Sequence, residues 1–155
     1  MTLMLTLLCR DEADILESML RFHLDQGVEL IIATDNGSID GSLRMLQRYE
    51  RMGKLRLIQE SEHSHDQAVW VTRMARMAAD LGADWLINSD ADEFLWPTHA
   101  NLASTLAALP STVQAVTVAP TNFLPPARDV NDQRPFHQRQ MLRERISRNS
   151  LGEPL

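Results

Sequence analysis

The sequence predicts an α/β fold in which a mostly parallel sheet is flanked by helices. Three observations predict it. Short apolar runs alternate about four times with segments of helical spacing, the order that builds a parallel sheet through right-handed crossovers. Three of the helical segments end at a glycine, Gly27, Gly53 and Gly82, the residue that most easily takes the left-handed stop. Polar clusters follow the first, second and fourth apolar runs, where open α/β sheets gather their ligands.

The elements follow in order. Leu3 to Cys9 is almost continuously apolar, as expected of a strand covered on both faces. Asp11 to Gln26 carries Leu16, Met19, Leu20, His23 and Leu24 on one helical stripe, with Asp11 placed to cap it. Val28 to Thr34 is a second strand. Ser38 or Asp40 opens a helix carrying Leu43, Leu46 and Tyr49, and Lys54 to Gln59 alternates like a half-exposed third strand. Asp66 to Leu81 repeats Trp70, Met74, Met77 and Leu81 at helical spacing, a core stripe. Asp84 to Asn88 is a fourth strand, Leu102 to Leu109 a short helix and Val113 to Val118 a fifth strand. Beyond Pro120 the pattern fades into prolines and scattered arginines.

Composition limits the function. The 155 residues are 44% hydrophobic and 23% charged, enough to bury one core. The net charge is −6, split into +2 from Pro120 onward and −8 before it. So acidic a chain is a poor partner for nucleic acid, where Lys and Arg contacts to phosphate supply the affinity. Cys9 is the only cysteine, so no internal disulfide can form. That use fits a reducing, cytoplasmic setting. The first nine residues lack a basic leader and are too short to span a bilayer, so no transmembrane segment is expected. No G-x-x-x-x-G-K-[ST] loop occurs.

The strand ends carry the chemistry: Cys9-Arg10-Asp11-Glu12, Asp35-Asn36-Gly37-Ser38 and Asp90-Ala91-Asp92-Glu93. In the last, two carboxylates flank a small residue within an apolar frame of Trp85 to Ile87 and Phe94 to Trp96. Such oxygens suit Mg²⁺ or Mn²⁺ while a diphosphate supplies further ligands. Asn36 to Ser38 read as a turn and helix cap. Asp35 is left over, and a carboxylate there can accept hydrogen bonds from a base N–H or a ribose hydroxyl.

The stretches LTLLCRDEADILESMLRFHLDQGV, TDNGSIDGS and WVTRMARMAADLGADWLINSDADEFLWP, in that order, resemble family 2 glycosyltransferases, in particular those with an R-[ND]-E-A-D-I start and a D-x-D-E-F site. The resemblance covers Leu3 to Pro97. It implies a GT-A (Rossmann-like) fold binding a nucleotide-diphosphate sugar, UDP- or GDP-linked, with Mn²⁺ or Mg²⁺. By position it implies that Asp35 contacts the base and that Cys9 and Arg10 line the base pocket. It puts Arg73 near the nucleotide, Asp90 near ribose and metal, and Asp92 on the metal. Residues 1–120 then form the nucleotide-sugar-binding domain. Residues 121–155 form an irregular acceptor-side segment, without the acceptor half that would hold a catalytic base. Glu144 and Glu153 are the only glutamates after Glu93, and neither lies in a base motif. The acceptor and the base stay unassigned. Two other readings share the same sheet edge: a nucleotidyltransferase-like enzyme, and a non-catalytic nucleotide-binding module. His63 and His65 read as an exposed polar loop. Arg139, Arg143, Arg145 and Arg148 read as part of a loosely ordered tail.

Overall fold

The structure, a computed structural model, describes residues 1–60, 67–124, 134–139 and 142–143. His63, His65, Glu144, Arg145, Arg148 and Glu153 lie outside them. The chain forms two compact units, Met1–Leu109 and Pro110–Leu155.

The first unit is a four-stranded, all-parallel sheet in the order β3-β2-β1-β4. The strands are β1 (Leu3–Cys9), β2 (Leu30–Asp35), β3 (Leu55–Gln59) and β4 (Trp85–Ser89), alternating with helices α1 (Leu16–Asp25), α2 (Ser42–Arg51) and α3 (Gln67–Asp80). A short α4 (Leu102–Ala107) follows. The chain steps outward from β1 to β3 and then returns to β1's other side with β4, which puts the switch in strand order between β1 and β4. Among the described residues no helix is long and apolar enough to cross a membrane.

β1 is central, and its apolar run is buried on both sides as its composition requires. Met4 packs with Ile32 on one face, beneath Met74 and Ala78 of α3. Alternation sends Leu3, Leu5, Leu7, Ile31 and Ala33 to the other face. There Leu16, Met19 and Leu20 of α1 and Leu46 of α2 are fully buried. Gly27 ends α1 with φ +93°, and a Cβ there would lie 2.5 Å from the Ala103 side chain of α4. Asn101 caps α4 by accepting from the Ser104 amide.

Two expectations are corrected. Asp11 does not cap α1, which begins at Leu16, after a turn in which the Ile15 and Leu16 amides donate to the Glu12 carbonyl. Asp11 instead takes φ +54° and bonds to the β2–α2 loop. The residues 113–118 form no strand: they are irregular, with Val116 and Val118 about half exposed. Alternation gives a segment strand propensity, but a strand also needs a ladder partner. The second unit contains β5 (Phe123–Leu124), a four-residue α5 (Phe136–Arg139) and β6 (Leu142–Arg143), with β5 and β6 paired antiparallel.

Candidate functional site

Because all four strands are parallel, their carboxyl ends share one edge. Cys9 of β1 lies opposite Asp35 of β2, Asp35 opposite Gln59 of β3, and Leu7 of β1 opposite Ser89 of β4. The three polar clusters therefore leave the sheet on the same rim, those after β1 and β4 on either side of the switch point and that after β2 one strand away.

Asp35 is the most constrained of the six predicted site residues. It is 2% exposed. Its Oδ2 accepts from the Ser38 amide at 3.2 Å, while Oδ1 is buried with no hydrogen-bond partner. A buried carboxylate oxygen left unpaired costs free energy unless something donates to it. The Thr34 hydroxyl and the Asn36 side-chain carbonyl beside it are also buried without partners.

Cys9 stands next to Asp35 and is 1% exposed. Burial first, and then the negative charges of Asp35 and Glu12, push its thiol up to about 12. It is a thiol, not a thiolate nucleophile, at neutral pH. Its carbonyl accepts from the Asn36 amide at 2.9 Å, tying the ends of β1 and β2. Arg10 is exposed, with Nε 3.9 Å from the Asp11 carboxylate.

The D-x-D segment turns as soon as β4 ends. The Glu93 amide donates to the Asp90 carbonyl, and the Asp90 amide to Glu93 Oε2, both at 3.2 Å. Ala91 is buried and Asp90 and Asp92 are exposed, so the small residue between them packs inward while both carboxylates face solvent. Their negative charge reaches the β1–α1 loop. The Glu12 carboxyl is raised above its ordinary value, first by desolvation and then by Asp92, Asp14, Asp40 and Asp90. No cation pairs with Glu12, Asp90 or Asp92 among the described residues. Among those residues no three His, Cys, Asp or Glu side chains are gathered as a metal group. The donors are hard carboxylate oxygens in an uncompensated negative field, which fits a divalent cation whose remaining ligands come from phosphate or water.

Arg73 approaches from α3, on the far face of the sheet from Cys9 and Asp35. It donates to Glu60 Oε1 at 2.5 Å, and the Glu60 amide donates to the Asp35 carbonyl. Arg73 is thereby tied to the end of β2 and β3, and its buried Nε has no partner.

Sequence reasoning did not single out Glu60, or the side chains that join the loops after β1 and β2. Asp40 Oδ2 accepts from the Ala13 amide at 2.8 Å. Its Oδ1 accepts from the Ser42 amide and hydroxyl. Ser42 Oγ in turn accepts from the Glu12 amide at 2.9 Å. Those amide bonds hold Asp40 below the ordinary carboxylate range, although desolvation opposes them. The S-x-D-G-S run was the available signal, since Ser and Asp before a helix commonly bond backbone amides.

The sequence model of glycosyltransferase family 92 matches residues 10–150. No curated protein matches. Among solved structures, S. aureus TarS is similar with a TM-score of 0.50 at 14% identity, over 70% of this chain and 19% of that one. S. aureus TarS 1-349 in complex with UDP is similar with a TM-score of 0.53 at 13% identity, over 70% of this chain and 31% of that one. This chain thus spans less than a third of either, and at such identity the likeness is one of fold. The motif resemblance names family 2 and the family match names family 92, and the two agree on a glycosyltransferase. The match takes in the whole acidic rim except Cys9, and the chain belongs to glycosyltransferase family 92.

Proposed function

We propose that this chain is the donor-nucleotide part of a glycosyltransferase, binding a nucleotide-diphosphate sugar whose sugar is passed to an acceptor. The observation that carries the reading is Asp35: a buried carboxylate at the carboxyl end of β2, on the rim where all four parallel strands end, with one oxygen unpartnered. A nucleoside supplies the missing donor. Uracil offers one imide N–H, whereas guanine offers two adjacent donors that suit both oxygens of a carboxylate. Oδ2 already accepts from Ser38 while Oδ1 has no donor, so the single imide N–H of uracil is enough to fill the unpartnered oxygen, and UDP is taken as the carrier. The UDP complex of TarS 1-349 supports the same choice.

In this reading the family-2-like roles carry over. Asp92, with Asp90 beside it, holds Mn²⁺ or Mg²⁺, and the exposed Arg10 supplies positive charge beside the nucleotide, whereas Arg73 acts from the other face through its ion pair with Glu60. A bound ion would neutralise charge on the departing diphosphate. The chain's own task is to fix the nucleoside on Asp35 and to keep the acidic rim open to the diphosphate.

Titration calorimetry of the full chain with UDP and with GDP, each with and without Mn²⁺, tests this. The expected result is Mn²⁺-dependent binding, tighter for UDP, that Asp92→Ala abolishes and Asp35→Ala weakens about tenfold or more. Absence of heat with either nucleotide, or an Asp92→Ala variant that binds normally, would refute it.

A further inference from the structure

Asp11 has no role in the donor reading, yet its backbone is held in a conformation that residues other than glycine rarely adopt, at φ +54°. Strain of this kind persists where surrounding bonds over-determine it. The bonds here run to one place. The Asp11 amide donates to Ser38 Oγ at 3.0 Å, and Asp11 Oδ1 accepts from the Ile39 amide at 2.7 Å. Ser38 is also the residue whose amide donates to Asp35 Oδ2. Asp11 therefore holds Ser38 by its hydroxyl and Ile39 by its amide, across 27 and 28 residues of chain. Its partner loop is anchored independently through Asp40 and Ser42.

Resting on the donor-site reading above, we propose that Asp11 is a positioning residue for the nucleoside. It fixes Ser38 so that the Ser38 amide occupies Asp35 Oδ2, and it thereby leaves the unpartnered Oδ1 as the acceptor for the base. Without the Asp11 carboxylate the Ile39 amide is released, the backbone on either side of Ser38 is less tightly held, and the Ser38 amide that donates to Asp35 Oδ2 is no longer fixed. Asp11 acts through Asp35 and does not touch the nucleotide. Asparagine at this position keeps both the acceptor oxygen and the tolerance of positive φ. Glycine keeps the tolerance alone.

The test uses the full chain with UDP and Mn²⁺ in calorimetry, with amide hydrogen exchange as a second readout. Asp11→Ala and Asp11→Gly should each weaken UDP about five- to tenfold, and Asp11→Asn should stay within about twofold of wild type. In an Asp35→Ala background the Asp11→Ala effect should shrink below about twofold, the non-additivity expected of residues acting as a unit. Exchange at the Ser38 and Ile39 amides should accelerate in Asp11→Ala and Asp11→Gly and remain slow in Asp11→Asn. Unchanged exchange, additive losses, or an Asp11→Asn variant as weak as Asp11→Ala would overturn the proposal. A wild type that ignores UDP would sink the donor reading by itself. The exchange measurement would still decide whether Asp11 holds the Ser38–Ile39 peptide.

Discussion

His23 should make the fold sensitive to mild acid, by an amount the structure allows to be worked out. The residue is fully buried in α1. Its Nδ1 lies 3.1 Å from the Met19 carbonyl and its Nε2 3.5 Å from the Leu95 amide, a pattern that requires a proton on Nδ1 and none on Nε2. The ring stacks with Phe94 and meets Phe22 edge-on. Burial lowers its pKa from 6.5 to about 4, against the opposing pull of the Met19 carbonyl. A histidine with a depressed folded pKa stabilises the fold fully above the unfolded value, and that stability is lost as pH falls from 6.5 towards 4. The loss is about 2 kcal/mol by pH 5 and about 3 kcal/mol below pH 4. The assay is urea unfolding at pH 7.5 and pH 5 for wild type and His23→Gln. Because other groups also titrate, the quantity of interest is the difference between the two proteins. Wild type should lose about 2 kcal/mol more than His23→Gln over this interval. Parallel losses in the two proteins would refute the reasoning. Because the Leu95 amide follows the D-x-D segment by three residues, protonation should also loosen the chain that carries Asp92.

The other predictions are more local. Gly27→Ala should cost roughly 2–4 kcal/mol in denaturant unfolding, since it combines positive-φ strain with a Cβ contact too short to keep. Ala103→Gly should recover part of that loss, and no recovery would count against the contact as the cause. Cys9 should resist alkylation at pH 8 in the folded chain and react once denatured, as followed by mass spectrometry; rapid labelling of the native protein would contradict its burial. Glu12→Gln should stabilise the protein at pH 7, because the carboxyl is raised in the fold and its charge is unfavourable there. The gain should vanish as pH falls through the ordinary value of 4.5, measured as a difference in Tm.

Legibility in the sequence followed how local each cause was. The apolar run of β1 and the glycine after α1 fix their elements through nearby residues, and the first strand runs from Leu3 to Cys9 as its composition predicts. The alternation of strands and helices predicted parallel strands, and hence a shared carboxyl edge for Asp35 and Asp92. The strand order depends on which faces pack, and Met74 over Ile32 is not written in any one segment. Asp11 shows the limit most clearly. By local rules an Asp before a helical stripe is a cap, but bonds to Ser38 and Ile39 on the neighbouring loop prevail over that preference and delay α1 by five residues. Ser38, held by one of those bonds, also donates its amide to Asp35 Oδ2. A sequence can show that a carboxylate stands at a strand end. Only the folded loop shows which of its two oxygens already has a donor and which is left unpartnered.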